Sequence, residues 1–472
     1  MDYASLGFKA GLEIHQQLEG KKLFCNCPTI IKKEKSDYNF RRVLRASAGE
    51  SGTVDKAALH ELKKSKEFEY HGYKDVTCLV EMDEEPPHEV NKSALTTALK
   101  VAKLLNMKIP DSIQFMRKTV IDGSNTSGFQ RTALIGTDGY ITVNNKKIGV
   151  ESLCLEEEAC QVIKRGKDKD IYNLSRLGIP LLEIATAPDI TNPEECKETA
   201  SHIGMLLRSV GGMKRGIGTI RQDVNVSIKK GARTEIKGFQ DHKNIPKVIQ
   251  HEIKRQLSLI EKGKKVETSV RKAEPDFTTS YQRPMPGADR MHPETDVEII
   301  IPKTIDFKIP ETLKQKEERI VKEYNISKDL AAKIVKHESK SNESVEELVK
   351  KYQSKSLTPT TIIDTYLILI PSIEKKHGKT NIDINQLFKH VKNEEIAQSS
   401  IPKILEDSTK KKIDFADYKK LSEEDIVKVV EAVIKNNPQA PTGALMGMIM
   451  KELKGKGDGK LVSKLVNELK WK

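Results

Sequence analysis

The stretch from residue 151 to residue 191 places acidic side chains inside apolar, strand-like runs. Three consecutive glutamates, Glu156 to Glu158, follow a run of alternating leucines, and Glu183 stands inside Pro-Leu-Leu-Glu-Ile-Ala. A carboxylate is costly to bury unless it pairs with a cation or binds a metal ion. Any fold that this chain adopts must therefore bring cations to these carboxylates.

A similar pattern occurs near the start of the chain, in Gly11-Leu-Glu-Ile-His15. Residues i and i+2 of a strand face the same way, so Glu13 and His15 are expected to stand side by side. Together with Glu183 and a carboxylate from residues 156–158 they would form an oxygen-rich site of the kind that accepts Mg²⁺ beside substrate phosphates. The sequence therefore predicts a metal-assisted site in the first half of the chain.

A second polar pattern follows at residues 221–228, where Arg221, Asp223 and Asn225 alternate with mostly aliphatic residues. A further strand, Thr234-Glu-Ile-Lys237, also alternates charges. This pattern fits an exposed antiparallel face, and it fits equally a polar floor that orients a nucleotide. The residues alone leave both interpretations open.

The loop from Asp122 to Gly128 contains small hydroxylated residues and glycines between basic flanks. Backbone N–H groups in such a loop are suited to binding an anion, but a plain hairpin turn is favoured by the spacing alone. Further along, Asp138-Gly139 between alternating residues predicts a second hairpin turn.

Cys25 and Cys27 form a Cys-x-Cys pair, and Cys78 is a third thiol far along the chain. These three are candidate ligands of a structural zinc, which requires four, and His71 and Glu81 are the nearest candidates for the fourth. The alternative is that the thiols are simply reduced. Six cysteines in a chain of this size do not indicate a disulfide framework, so a reducing cytoplasm is expected.

Chain length limits the number of domains, and net charge limits the kind of partner. A chain of 472 residues is expected to form about two to four domains. Its net charge of +13 favours a polyanionic partner, with nucleic acid as the leading candidate. There is no signal-peptide pattern and no apolar run near the roughly 18 residues of a membrane span, so no membrane association is expected.

The familiar phosphate-binding motifs are missing. The chain has no Gly-x-x-x-x-Gly-Lys-Ser/Thr loop, and the Gly-x-Gly at Gly216 and Gly218 has no third glycine and no helix pattern after it. Phosphoryl chemistry in this chain would therefore use metal ions and carboxylates on a sheet.

Seven motifs occur in one order over the first 302 residues: GLEIHQQLEGKKLFCNC, TCLVEMDEEPPH, RKTVIDGSNTSGFQRTALI, LCLEEEA, NLSRLGIPLLEI, KRGIGTIRQDVNVSI and RPMPGADRMHPETD. Together they resemble a family of glutamyl-tRNA(Gln) amidotransferase subunits that has an archaeal branch and a bacterial and organellar branch, and they resemble the archaeal branch in particular. The resemblance implies an α+β fold with a β-rich catalytic cradle at 1–300, an all-α helical domain at 301–405 and a small helical tRNA-binding tail domain at 406–472.

The resemblance also implies the chemistry. ATP phosphorylates the side-chain carboxyl of glutamate mischarged onto tRNA(Gln), and ammonia then converts the acyl phosphate to glutamine. ATP and Mg²⁺ are the implied cofactors. The implied Mg²⁺-binding and catalytic positions are Glu13, His15, Glu157 and Glu183. The implied nucleotide or substrate contacts are Ser124, Asn125, Gln130, Arg131, Arg221, Asp223, Asn225 and Lys237.

No amidase or asparaginase motif is found in this chain, so the resemblance implies that the ammonia comes from a separate, asparaginase-like partner protein. Archaeal members of the family usually carry an inserted domain similar to one in aspartyl-tRNA synthetases. Here a short linker, residues 261–279, crosses that place. The competing hypotheses are a non-catalytic tRNA-binding scaffold and an unrelated Mg²⁺-dependent ligase that activates a free amino acid.

Overall fold

The computed structural model describes residues 1–45, 65–239, 241–285, 291–338, 341, 344–453 and 459–469. The chain divides into two compact units, Met1–Thr312 and Leu313–Lys472. The first unit contains all the described strands and the second is helical, which confirms the predicted α+β class.

The first unit is built on a ten-stranded sheet with the order β13-β12-β11-β10-β1-β9-β6-β5-β4-β14. A smaller sheet has the order β2-β3-β8-β7. The strands are β1 Lys9–Gln17, β2 Tyr38–Arg42, β3 Glu67–Gly72, β4 Phe115–Thr119, β5 Phe129–Val143, β6 Lys146–Glu157, β7 Gln161–Lys164, β8 Lys169–Asn173, β9 Pro180–Thr186, β10 Ile220–Ser227, β11 Thr234–Phe239, β12 Ser269–Ala273, β13 Thr279–Arg283 and β14 Met291–Pro293.

Strand β1 lies in the middle of the large sheet, and its alternating residues give the sheet two different faces. Leu12 and Ile14 are fully buried in the main hydrophobic core. Three helices contribute to the same core: α1 Lys92–Leu104, α2 Pro193–Val210 and α3 Ile245–Glu261. Because strand residues alternate between faces, Glu13 and His15 lie on the opposite side. We call the helix-covered side the core face and the other side the polar face.

The residues at the N-terminus of helix α2 explain why this helix begins at Pro193. Asn192 is the N-cap and its side chain accepts a 2.9 Å hydrogen bond from the backbone N–H of Glu195, and Pro193 is the first helical residue. Glu194 and Glu195 lie in the first turn, where acidic side chains interact favourably with the helix dipole.

The second unit is helical throughout its described residues. Its helices are α4 Leu313–Tyr324, α5 Lys328–Glu338, α6 Val345–Tyr352, α7 Pro359–Asp364, α8 Ile370–His377, α9 Ile384–Lys392, α10 Ile401–Ser408, α11 Glu423–Asn436, α12 Thr442–Glu452 and α13 Gly459–Leu469. Its buried apolar residues form two separate clusters, one between Ile320 and Tyr418 and one between Ile426 and Val466. Among the described residues, no helix is both long and apolar enough to cross a membrane.

Two local expectations are wrong. Asp138-Gly139 does not form a hairpin turn, because β5 continues through it and turns only at Asn144 and Asn145, both with positive φ. Residues 261–279 are not only a linker, because β12 pairs in parallel with β11 and forms a hairpin with β13. Part of the Arg-Pro-Met-Pro-Gly segment, residues 286–290, lies outside the described residues.

Candidate active site

The polar face of the central strands brings Glu13, His15 and Glu183 together. His15 on β1 is the register partner of Glu183 on β9. Its Nε2 lies 3.3 Å from Glu13 Oε1 and 3.3 Å from Glu183 Oε2. Three of the four residues implied as Mg²⁺ positions therefore meet, as the alternation of their strands predicts.

The charges of this cluster depend on one another. Burial, with the nearby charge of Glu183, raises the pKa of Glu13 to about 7. Burial disfavours the charged form of His15, but its hydrogen bond to Glu183 and the charges of both glutamates outweigh this and raise its pKa to about 8. Burial also opposes ionisation of Glu183, but its contacts with His15 and Lys118 hold its pKa below the ordinary value. Near neutral pH the imidazolium therefore balances the ionised Glu183, while Glu13 is partly protonated.

The donor atoms of this cluster suit a divalent cation. One ligand atom each from Glu13, His15 and Asp223 lies within 4.8 Å of the others. A metal ion would provide the positive charge that the protonated imidazole provides here, and His15 would lose its proton to become a ligand. Carboxylate oxygens are the preferred ligands of Mg²⁺, so the residues fit the cofactor that the resemblance implies.

Glu157 does not join this cluster, contrary to the expected geometry. It is the register partner of Pro180, whereas Glu183 pairs with Cys154, so Glu157 and Glu183 point to opposite faces of the sheet. On the core face Glu157 accepts a 3.2 Å hydrogen bond from the backbone N–H of Arg131. Arg131, implied as a substrate contact, also lies on the core face.

Glu156 occupies the place expected of Glu157. Its carboxylate accepts hydrogen bonds from Lys118 Nζ at 2.7 Å, Thr132 Oγ1 at 2.8 Å and Gln130 Nε2 at 2.9 Å. Burial and the neighbouring charge of Glu183 raise its pKa despite the opposing charge of Lys118. Glu183 lies opposite Cys154 of β6. Alternation along β6 therefore places Glu156, two residues after Cys154, on the same face as Glu183.

Lys118 is a site residue that the sequence reasoning missed. Its Nζ lies 2.7 Å from Glu156 Oε1 and 3.8 Å from Glu183 Oε2, so one ammonium joins the two carboxylates. Lys118 lies on the strand that precedes the Asp122–Gly128 loop. The available sequence signal was strand alternation, which places Lys118 and its neighbour Arg117 on opposite faces of the sheet.

Strand β10 extends the polar face on the other side of β1. Arg221 contacts Glu158 at 2.8 Å, and Gln17 donates to the same carboxylate. Burial opposes ionisation of Glu158, but the charges of Arg221 and Arg176 lower its pKa to about 2. Arg221 is therefore already engaged by a carboxylate of the chain.

Asp223 and Lys237 form a second charged group beside Glu13. Lys237 Nζ lies 2.7 Å from Asp223 and 2.5 Å from Glu235. Asn225, two residues along β10, accepts a 3.0 Å hydrogen bond from Arg233 Nε and lines a cavity of about 330 Å³ next to Glu13. Asp223 is buried and Arg221 and Asn225 are only partly exposed, so the polar-floor interpretation is favoured over an exposed antiparallel face.

The Asp122–Gly128 loop closes the hairpin between β4 and β5. The backbone N–H of Ser124 donates to Asp122 Oδ1 and that of Gly128 donates to the Asn125 carbonyl, so both are used within the loop. Asn125 is buried, and its Oδ1 has no hydrogen-bond partner among the described residues. The plain-turn interpretation therefore fits better than an anion-binding loop.

The smaller sheet holds this loop in place. Tyr70 donates a 2.9 Å hydrogen bond to the Gly123 carbonyl, and Tyr172 donates one to the Asp122 carbonyl. Gly123 has a φ of +84°, and a Cβ on it would lie 2.3 Å from the ring of Phe68. Only glycine fits at this position.

The cysteines form a second cluster in the first unit. Ligand atoms of Cys25, Cys27, Cys78 and Glu81 all lie within 4.8 Å of one another. Thiol hydrogen bonds from Cys25 and Cys27 lower the pKa of Cys78, which makes a thiolate available to a metal ion. Glu81, and not the alternative candidate His71, completes the group of four, since His71 instead contacts Glu69 at 3.1 Å.

A buried lysine supports this cluster. The Lys22 side chain is 0% exposed, its Nζ lies 3.6 Å from Glu81 Oε2, and it has no hydrogen-bond partner among the described residues. A buried ammonium is costly without a negative charge nearby. Glu81 is the carboxylate beside Lys22, and it also lies within reach of the three thiols.

Comparisons with known proteins show which sequences this chain resembles. Residues 8–306 match the family described as the GatB/GatE catalytic domain. Proteins named as the E-type subunit of glutamyl-tRNA(Gln) amidotransferase are similar over nearly the whole chain: 37% identical in Methanococcus maripaludis strain S2, with 98% of both chains covered, and 35% identical in Methanocaldococcus jannaschii, with 99% of both covered.

The alignments with these relatives are much longer than this chain. They extend over 620 and 631 positions against 472 residues here. Well over a hundred aligned positions are therefore gaps in this chain, in agreement with an inserted segment that it lacks.

Proposed function

This chain belongs to the GatB/GatE family, and on that basis we propose that it is the component of a glutamyl-tRNA(Gln) amidotransferase that converts Glu-tRNA(Gln) to Gln-tRNA(Gln). The observation that carries the proposal is the convergence of Glu13, His15 and Glu183, joined by Glu156 and Lys118, on one face of the central sheet. Perturbed titratable groups that converge in this way are typical of catalytic sites.

The proposed reaction has two steps. The γ-carboxylate of the tRNA-bound glutamate attacks the γ-phosphorus of ATP, which forms an acyl phosphate and releases ADP. Ammonia then attacks the activated carbonyl carbon, and inorganic phosphate leaves as the amide forms. Both substrates of the first step are anions, so a site for this chemistry must supply concentrated positive charge.

The residues of the polar face have distinct roles in this proposal. Glu13, His15 and Glu183 would hold Mg²⁺ together with Asp223, and Glu156 would take the place of Glu157 as the carboxylate from the glutamate run. Bound Mg²⁺ would neutralise phosphate charge during transfer. Lys118 holds Glu156 and Glu183 at a fixed separation, and Lys237 does the same for Asp223 and Glu235. Arg221 and Asn225 extend the floor on which the nucleotide lies.

Two further parts of the proposal concern partners. Ammonia comes from a separate asparaginase-like partner protein, since this chain has no recognised ammonia-releasing motif. The small helical tail, residues 406–472, holds tRNA(Gln) through its phosphates. The alternative is a non-catalytic scaffold that binds tRNA with the same cradle, and it gives no reason for this arrangement of carboxylates.

The direct test is reconstitution. The protein is combined with candidate ammonia-supplying partners, Mg²⁺, ATP and Glu-tRNA(Gln), and the charged tRNA is analysed for glutamine. We expect Gln-tRNA(Gln) with the asparaginase-like partner and ATP cleavage that depends on Glu-tRNA(Gln). ATP-independent tRNA binding without any amide product, with ammonium chloride also supplied, would support the scaffold.

Binding of tRNA(Gln) is expected to weaken steeply as salt concentration rises. A protein that neutralises several phosphates loses roughly 10³-fold or more in affinity between 50 and 200 mM salt, because binding releases counterions. The slope is measured by filter binding over this range, with a variant truncated after residue 420, which keeps helix α10 and the first helical cluster intact, as the comparison. A flat response, or one that the truncation leaves unchanged, would contradict phosphate binding by the tail.

The cysteine cluster is proposed to bind one structural Zn²⁺ through Cys25, Cys27, Cys78 and Glu81. We expect one zinc per purified chain by elemental analysis, and Cys78→Ser is expected to lose it, because tetrahedral structural sites need four ligands. Cys196→Ser, which removes a buried cysteine elsewhere, is the matched control. Equal zinc content in the two variants would contradict the assignment.

A further inference from the structure

On the strands beside the candidate site, charged or amide side chains on the polar face are followed or preceded by charged side chains on the core face. Neighbouring residues of a strand point to opposite faces, so each polar-face residue here has a neighbour on the core face. The pairs, polar face first, are Lys118 and Arg117 on β4, Gln130 and Arg131 on β5, and Glu156 and Glu157 on β6.

The core-face members form one network around Glu294. Glu294 is 0% exposed and accepts hydrogen bonds from Arg117 at 2.7 and 3.0 Å and from Arg131 Nε at 2.7 Å. Arg131 in turn contacts Glu157 at 3.4 Å. The Phe129 ring lies under both guanidinium groups, at 4.8 Å from Arg117 and 5.1 Å from Arg131.

Glu294 reaches this position from a distant part of the chain. It follows β14, which adds to the edge of the sheet through the register pairs Met291 with Lys118 and His292 with Arg117. The backbone N–H of Glu294 also donates to the Phe115 carbonyl at 2.9 Å. Strand β4, which carries Lys118, is therefore held between β5 and β14, and the ion pairs of Glu294 fasten both neighbours to it.

We propose that the core-face network of Arg117, Arg131, Glu157 and Glu294 is a positioning device that fixes Lys118 and Glu156 for catalysis. The inference rests on the proposed function of the polar face. A catalytic group needs to be held within about 0.5 Å of its productive position by a second layer of contacts. Since members of each pair are joined by one peptide bond, a shift of the network moves Lys118, Gln130 and Glu156 together.

The network also accounts for two residues that the resemblance implied as part of the site. Glu157 and Arg131 have no hydrogen bond to Glu13, His15 or Glu183 among the described contacts, yet each lies next to a residue of the Glu156 group. Replacing either would affect the reaction through Glu156 and Gln130. Both are thus positioning residues in this scheme.

The test compares two buried glutamates that each bind arginines. Glu294→Gln removes the charge at the centre of the network. Glu252→Gln removes a buried charge in helix α3. Glu252 is 0% exposed and accepts hydrogen bonds from Arg255 and from Thr279 of β13, the strand at the opposite end of the large sheet from β14. Both variants are assembled with the ammonia-supplying partner, and the melting temperature, kcat, KM for Glu-tRNA(Gln) and the Mg²⁺ concentration for half-maximal rate are measured.

We expect both variants to melt at lower temperature than the wild type, and only Glu294→Gln to lose roughly 10- to 100-fold in kcat and to require more Mg²⁺. The KM for Glu-tRNA(Gln) should stay within about twofold of the wild-type value in both, because the network does not contact tRNA-binding residues of the proposal. Equal kcat values in the two variants would show that the network only stabilises the fold and would overturn the inference.

Two further variants keep the result interpretable. If Glu294→Gln does not fold, Arg117→Lys keeps the charge but loses the two-point contact, and a wild-type kcat in that variant would overturn the inference. Glu156→Gln is measured in parallel as the reference for the polar face. Full activity of Glu156→Gln would contradict the role given to Glu156, and absence of Gln-tRNA(Gln) formation by the wild type would contradict the proposed function. A loss in Glu156→Gln with normal Glu294→Gln activity would contradict only the network.

Discussion

Replacing Glu183 by glutamine is expected to lower Gln-tRNA(Gln) formation by roughly 10³-fold, the magnitude seen when a preorganised electrostatic group is removed from an active site. Glu183 contacts both His15 and Lys118, so its charge holds the cluster together from two sides. The amide retains the shape of the side chain but supplies half the oxygen ligands. The rate is measured in single-turnover assays with saturating ATP and Mg²⁺.

The control for this variant is Glu89→Gln, because Glu89 is a highly exposed carboxylate of the same unit. Binding of tRNA(Gln) is expected to be unchanged in both variants, since Glu183 lies on the polar face among other acidic groups. Full activity of Glu183→Gln would remove this residue from the mechanism. Loss of tRNA binding together with activity would point to misfolding.

Replacing Glu156 by glutamine is expected to have the second largest effect, a loss of roughly 10²- to 10³-fold in kcat with a raised Mg²⁺ requirement. Three side chains donate to this carboxylate, and Lys118 links it to Glu183. Without its charge, Lys118 loses one of its two carboxylates and the cluster gains net positive charge. Rates are measured over a Mg²⁺ titration.

Glu157→Gln is the matched comparison, because it changes the adjacent glutamate on the other face of the sheet. We expect a smaller loss in kcat for this variant, of roughly tenfold, consistent with a residue that acts through its neighbour. If Glu157→Gln were the more damaging change and shifted the Mg²⁺ requirement while Glu156→Gln did not, the assignment of Glu156 to the metal cluster would be wrong.

Much of the site could be predicted from alternation within single strands. Glu13 and His15 are two residues apart, so any strand there places them together, and the cost of burying Glu183 requires a cation near it. Neither segment alone predicts that β1 pairs with β9. Both segments, however, contain carboxylates that need a positive charge nearby when they are buried. The structure places His15 between the two glutamates, within contact distance of each.

The position of Glu157, which the resemblance implied as a metal ligand and which lies on the opposite face from Glu183, shows where pattern reasoning ends. Three glutamates in a row contain no internal signal for which one faces the site, because the face depends on register with β9. The same applies to Lys118, whose importance follows from pairing between β4 and β5. Glu294 was beyond prediction for another reason: a segment more than 160 residues away joins the sheet edge beside Arg117.

The hairpin prediction at Asp138-Gly139 failed because a local turn signal was outweighed by long-range pairing. Asp138 does adopt the positive φ that the dipeptide favours, with a value of 51°. Its strand nonetheless continues, because β5 pairs with β6 on both sides of this position with an irregular register. The dipeptide thus indicates the positive φ of Asp138 correctly, but the chain does not reverse its direction there.

The central claim is that the polar-face carboxylates and His15 hold a divalent cation where the phosphoryl group is transferred. The most direct test is a crystal structure grown with Mn²⁺ and a non-hydrolysable ATP analogue, in which anomalous scattering locates the metal. We expect a peak at about 2.1 Å, the usual distance for a small divalent cation, from oxygens of Glu13 and Glu183, with the analogue's phosphates beside it. A peak elsewhere in the chain, or phosphates bound away from these residues, would contradict it.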